Sequence, residues 1–159
     1  MNGERTDSRL ATRESGKIAL QPERTLARHR TIAIIGASSD RAKFGNKAVR
    51  AYAAEGWTVW PVNPKGGVIE GLTVFTSILE LPELPERASL YLHEVAALET
   101  LDSLAEAQTR CNGTITEVFL NPGVGRASVR ERADELGLHH ISECSIRAIG
   151  RVPVEFLAD

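Results

Sequence analysis

The sequence lacks the features that would commit it to a special environment. Its 159 residues include only two cysteines, Cys111 and Cys144, too few for a disulfide scaffold and without metal-ligand spacing. No apolar run approaches the roughly 18 residues of a membrane span. The amino-terminal stretch has no apolar core of the secretory kind, so a reducing cytoplasm is the expected location. The net charge of −2 supplies no overall attraction to nucleic acid or acidic membranes. What remains is a chain of single-domain length, able to bury a core without disulfides or metals.

Residues 1 to 28 are polar and rich in Arg, Glu, Ser and Thr. They read as a solvated tail, with one helical turn expected around Ile18 to Leu20. Glu4, Asp7, Glu14 and Glu23 count against an organelle transit peptide. The folded domain is expected over residues 29–159.

From Thr31 onward, strand and helix patterns alternate. Thr31 to Ile35 is a short, mostly β-branched apolar run, the mark of a strand buried on both faces. It runs into Gly36-Ala37-Ser38-Ser39 and then a helix from Phe44 to Glu55, with Phe44, Ala48, Val49, Tyr52 and Ala53 as its apolar stripe and Gly56 as its stop. Further strands are expected at Trp57 to Val62, Ala88 to Leu92, Thr116 to Leu120 and Leu138 to Ser142. Helices are expected at Val95 to Gln108 and Arg126 to Leu136. Val68 to Thr73 reads as a turn-rich link, Thr76 or Ser77 as the cap of a short helix, and Cys144 to Ile149 as a short closing helix. This order predicts an α/β, Rossmann-like, three-layer fold: a parallel sheet of about five strands with helices on both faces.

In such sheets the ligand lies beyond the carboxyl ends of the strands. Three strands end there in polar corners: Gly36 to Ser39, Asn63 to Gly67, and Asn121 to Gly125. A dinucleotide site wants G-x-G-x-x-G at the first corner and an acid after the second strand. Here Ser38 and Arg41 replace the second and third glycines, Asn63 replaces the acid, and no hydride-transfer residues stand out. Ser38 and Ser39 can donate to a phosphate, and Arg41, Lys43 and Lys65 bring cations to the same mouth. That pattern suits coenzyme A, which carries a pyrophosphate and a 3′-phosphate. A small NAD(P)-dependent oxidoreductase or other nucleotide-binding enzyme is the alternative.

Five blocks occur in order: Gly36-Ala37-Ser38, Phe44-Gly45-Asn46, Pro61-Val62-Asn63-Pro64-Lys65, Asn121-Pro122-Gly123 and Cys144-Ser145-Ile146. Together they resemble the small single-domain CoA-binding proteins, whose Rossmann-like domain is related to that of the succinyl-CoA synthetase α-subunit. The resemblance covers residues 31 to about 150. It implies CoA or acyl-CoA bound at Gly36, Ala37, Ser38, Asn63 and Pro64, with Lys65 and Asn121 beside them. Pro122 and Gly123 belong to the same corner. The family usually carries Pro or Ser where Asp40-Arg41-Ala42-Lys43 stands here.

Catalysis has less support. Acyl-CoA synthetases sharing such a domain use a phosphorylated histidine and a nucleotide-grasp domain, for which 159 residues leave no room. His139 and His140 are adjacent on a predicted strand and face opposite ways; His93 is the histidine expected near the ligand. Cys144 is expected at the site end of the sheet, either as a thiol near the CoA sulfur or as a small buried hydrophobe. No nucleophile–base–orienter set can be assembled. The expectation is a non-catalytic binding, carrier or regulatory module, with a homodimer or protein partner permitted by its size.

Overall fold

A computed structural model describes residues 30–158. The tail expected over residues 1 to 28, with its turn at Ile18 to Leu20, lies outside the described residues.

The elements follow the expected alternation: β1 (Thr31–Ile35), α1 (Phe44–Ala54), β2 (Thr58–Val62), a small hairpin β3 (Val68–Ile69) and β4 (Leu72–Thr73), β5 (Arg87–Leu90), α2 (Glu94–Cys111), β6 (Glu117–Leu120), α3 (Ala127–Glu135) and β7 (His140–Ile141). Five strands form one parallel sheet in the order β2-β1-β5-β6-β7. Alternate side chains of β1 feed two separate cores. Ala33 and Ile35 pack with Ala97, Leu101 and Leu104 of α2 and Val129 and Ala133 of α3. Ile32 and Ile34 pack with Ala48, Val49 and Tyr52 of α1, and with Ile146 and Phe156 near the carboxyl terminus. The period of two along β1 thus produces the three layers.

Helix ends explain where the strands begin. At the end of α1, Gly56 takes φ 85°, its N–H donates to Ala53 O at 3.1 Å, and Trp57 N–H donates to Tyr52 O at 3.1 Å. This double closure is a Schellman motif. Its apolar contact is Tyr52 against Trp57, edge-on with centroids 5.0 Å apart. Trp57 is consumed by the helix stop, so β2 starts at Thr58 and not at Trp57. The same geometry recurs after α3, where Gly137 N–H reaches Asp134 O and Leu138 N–H reaches Ala133 O, each at 3.0 Å. Leu138 is therefore part of the helix exit, and the fifth strand shrinks to His140–Ile141.

Other expectations need correction. Phe44 and Ala53 do not join the stripe of α1: Phe44 is 56 % exposed at the helix start, and Ala53 is exposed. The link from Val68 to Thr73 closes into the β3–β4 hairpin. Ser77, not Thr76, caps the short 3-10 turn Ile78–Glu80, accepting from Leu79 N–H. The closing helix is only a 3-10 turn, Arg147–Ile149. The outer edge of β2 is blunted: Pro61 has no N–H to offer, and its carbonyl accepts from Phe75 N–H at 2.9 Å.

Candidate functional site

Strand β1 pairs with β2 on one side and with β5 on the other. Crossover α1 packs in one core and α2 in the opposite one. The chain therefore changes face between β1 and β5. At that switch point a crevice must open beyond the carboxyl ends of the strands.

The crevice exists, and Gly36 forms its floor. Its N–H donates to Val62 O at 3.0 Å, and Tyr91 N–H donates to Ile35 O at 2.8 Å, so the ends of β2, β1 and β5 are tied together. Gly36 has φ +92°, and a Cβ built on it would lie 2.1 Å from the Tyr91 carbonyl oxygen. Gly45, in the first turn of α1, comes as close: its Cβ would lie 2.4 Å from Gly36 O. Two glycines thus allow strand, turn and helix start to touch, and the turn can present its amides outward.

Around this floor opens a cleft of about 770 Å³, within the range of small-molecule sites, roughly 300–1,000 Å³. Gly36, Ala37, Ser38, Lys43, Asn63, Lys65, Pro122 and Gly123 all line it. The three corners that the sequence offered separately therefore meet. A second cleft of about 210 Å³ shares Gly36 and Leu92 with the first and is lined in part by Pro64. Ser39 is exposed beside the mouth and is not among the residues lining either cleft.

Three of the predicted residues are otherwise engaged. Arg41 directs Nε to Glu70 Oε2 at 3.1 Å. Cys144 is half-buried against the α1-side core, alongside Tyr91. Asn121 is 2 % exposed, and both Nδ2 protons and one lone pair of Oδ1 are spent within the protein. Nδ2 donates to Ser89 Oγ at 2.9 Å and Leu90 O at 2.8 Å, while Oδ1 accepts from Ser145 N–H at 2.8 Å. It laces β5, β6 and the Cys144–Ile146 segment together. Asn63 does double duty in the same way: Nδ2 donates to Ala37 O at 2.9 Å, and Oδ1 accepts from Lys65 N–H at 2.9 Å. The first and second corners are thereby locked in register.

Several residues of the wall were not among the expected ligand contacts. Phe44, Gly45, Tyr91, Leu92, Ala96 and Val124 also line the cleft. Phe44-Gly45 stands at a helix start next to the first corner, which was the available signal. Tyr91 shows no comparable sign. Its hydroxyl meets Ser145 Oγ at 3.1 Å, and Ser145 Oγ meets Ser89 Oγ at 2.7 Å. Burial pushes its phenol up to about 12, so Tyr91 remains a protonated wall.

The electrostatics are unusual for helix starts. Lys43, His93 and Arg126 are the N-cap residues of α1, α2 and α3, and none makes a side-chain cap. Ser, Thr, Asp or Asn is preferred there, and a cation at the positive end of a helix costs stability. His93 and Lys43 line the cleft; Arg126 lines a smaller one that shares Pro122 and Gly123 with it. Local rules are broken together, at the carboxyl end of the sheet, as they are at functional sites. Replacing Lys43 by Ser should therefore raise stability by about 1 kcal/mol through a restored cap while weakening anion binding. Thermal melts and titration of the same variant check both halves.

Residues 30–150 match the family described as CoA binding domain. The chain belongs to that family. A trans-feruloyl-CoA synthase from an unknown prokaryotic organism is 31 % identical over 121 residues, covering 74 % of this chain and 16 % of that protein. This member thus spans about one sixth of that relative's length. Among solved structures, a conserved hypothetical protein from Pyrococcus furiosus is 25 % identical with TM-score 0.62, covering 75 % of this chain and 98 % of its own. A dinucleotide-forming acetyl-coenzyme A synthetase from Candidatus Korarchaeum cryptofilum shares the fold at 21 % identity and TM-score 0.59, over 76 % of this chain and 27 % of that one. Among the described residues of this CoA-binding domain, no helix is long and apolar enough to cross a membrane, and no three His, Cys, Asp or Glu side chains gather as a metal cage.

Proposed function

We propose that the protein binds coenzyme A or an acyl-CoA in the cleft over Gly36, as a binding, carrier or regulatory module and not as a catalyst. The observation that carries this reading is the convergence of the three corners on one cleft at the β1/β5 switch point. Family membership names the ligand class, and Lys43 and Arg126 at two helix starts supply the positive charge its phosphates need. The amides after Gly36 and the Ser38 hydroxyl receive the pyrophosphate. Ser38 Oγ already accepts from Asp40 N–H at 3.0 Å, which leaves the hydroxyl proton for the ligand. Lys43 and Lys65 flank it as point charges. The exposed ring of Phe44 offers an apolar face to the uncharged part of the ligand.

Two observations support binding without catalysis. Ser145, the hydroxyl nearest to Tyr91, is fully buried in hydrogen bonds. No hydrogen bond joins His93, the histidine of the cleft, to a nucleophile. An NAD(P) site is disfavoured because Asn63, at the place of the ribose-binding acid, has its side chain committed to the first corner.

Calorimetric titration with CoA, acetyl-CoA, NAD and NADP tests the reading. Binding of the CoA species below millimolar concentration is expected, with NAD and NADP weaker; clear NAD binding without CoA binding would sink it. Lys65→Ala should weaken CoA about five-fold, as for an exposed cation on a phosphate, and 3′-dephospho-CoA less. Equal losses would remove Lys65 from the 3′-phosphate.

A further inference from the structure

The loop from Ser38 to Lys43 is held from behind by side chains outside the five sequence blocks, with Asn46 the exception. Asn46 is fully buried. Its Nδ2 donates to Ser38 O at 2.9 Å and to Glu70 Oε2 at 3.1 Å, and its Oδ1 accepts from Arg50 Nε at 2.7 Å. Arg50 then donates to Arg41 O and to Leu157 O, each at 2.8 Å. Arg41 Nε closes the circuit on the same Glu70 oxygen at 3.1 Å.

Glu70 reaches the loop from the tip of the β3–β4 hairpin. Its φ is 50°, and Gly71 beside it has φ 80°. Asn or Gly makes such a turn with less strain, so what glutamate adds is its carboxylate. That carboxylate opposes the charge of Arg41, on the loop that carries Ser38. The Arg41–Glu70 pair is only partly buried, with side-chain exposures of 38 % and 26 %. Such pairs are weak enough to exchange, and a phosphate offers arginine more charge and a bidentate geometry.

We propose that Glu70 sets the charge selectivity of the site: its carboxylate neutralises Arg41 until a ligand phosphate takes the guanidinium over. The affinity gained from each ligand phosphate is held down by the same pair. The inference rests on the coenzyme A reading for the ligand's identity, but the exchange itself concerns any phosphate at this loop.

Glu70→Gln is the informative variant, because its amide oxygen still accepts from Asn46 and the loop keeps its support. Wild type and variant are titrated with CoA, 3′-dephospho-CoA, pantetheine and inorganic pyrophosphate at low salt. The variant should bind CoA about three-fold tighter, as expected for release of a partly exposed ion pair. The gain should be smaller for 3′-dephospho-CoA, absent for pantetheine, and present for pyrophosphate. It should shrink as salt screens the charges and vanish when Arg41→Ala is added. Unchanged or weaker CoA binding, or an equal change for pantetheine, would show that Glu70 merely braces the loop and overturn the proposal. If wild type binds pyrophosphate but not CoA, and Glu70→Gln tightens pyrophosphate, the coenzyme A reading fails while this inference stands. If neither protein binds any of the four, both fall.

Discussion

Gly36→Ala is expected to cost about 4 kcal/mol of stability, enough to leave a domain of ordinary stability marginal. Two separate penalties add. The first is backbone: φ +92° is left-handed territory, where a side chain costs about 1 kcal/mol. The second is steric, since the new Cβ would stand 2.1 Å from Tyr91 O and 2.9 Å from Tyr91 C. Those are backbone atoms of a residue whose N–H is tied to Ile35 O at 2.8 Å, and they cannot swing aside as a flexible side chain would. Relief requires β1 and β5 to part at the switch point, which opens the floor of the cleft. Gly67→Ala is the matched control, because Gly67 also has φ +92° but nothing within 4 Å of its Cβ. It should lose only the backbone part, about 1 kcal/mol. Urea unfolding midpoints of the two variants measure the difference. Equal losses would mean that the close approach of Gly36 to Tyr91 carries no energy.

Asn121→Ala is expected to cost about 3 kcal/mol, and for a reason unlike ligand contact. The substitution leaves Ser145 N–H and Leu90 C=O without the partner they have now, and Ser89 Oγ without its amide donor. Each group buried without a partner costs roughly 1–3 kcal/mol, and networks lose more than single pairs. Asn121→Asp should be no better. It keeps an acceptor for Ser145 N–H, but the carboxylate has no donor to give Ser89 and Leu90, and its charge is buried. Both variants should bind CoA less well only through displacement of the Tyr91 wall. A stable Asn121→Ala protein with lost CoA affinity would instead restore Asn121 to the ligand.

The layers and the location of the cleft were legible in the sequence because both follow from local rules. Alternating periods of two and 3.6 fix which faces of β1 and α1 are buried, and small polar residues after a buried strand mark the corners. Gly36, Asn63 and Pro122 needed nothing more to be placed at one end of the sheet. Boundaries were less legible. Trp57 and Leu138 have strand-like side chains but serve as closing residues of helix stops, a demand made by backbone geometry two residues upstream. Phe44 fits the helical period yet lines the cleft, at the first residue of α1.

Side-chain commitments were the part that could not be read. Asn121 and Asn63 stand in polar corners, and nothing in the sequence distinguishes an amide that waits for a ligand from one that ties two loops. The partners decide it: Ser89 lies 32 positions from Asn121, and Ala37 lies 26 from Asn63. Glu70 sits 29 positions from Arg41, in a segment that looked like a mere link. These pairings arise only when the fold brings distant segments together, so no periodicity reports them.

If coenzyme A is received in one cleft, over Gly36, its binding should perturb the backbone there and nowhere else. Backbone amide shifts of the isotopically labelled protein during titration with CoA test it most directly. Saturable shifts are expected at Gly36 to Lys43, Asn63 to Lys65, Tyr91 to Ala96 and Gly123 to Val124. The opposite end of the sheet, at Thr58, Arg87 and Glu117, should stay in place. Shifts concentrated at that opposite end, or no shift at millimolar CoA, would contradict it.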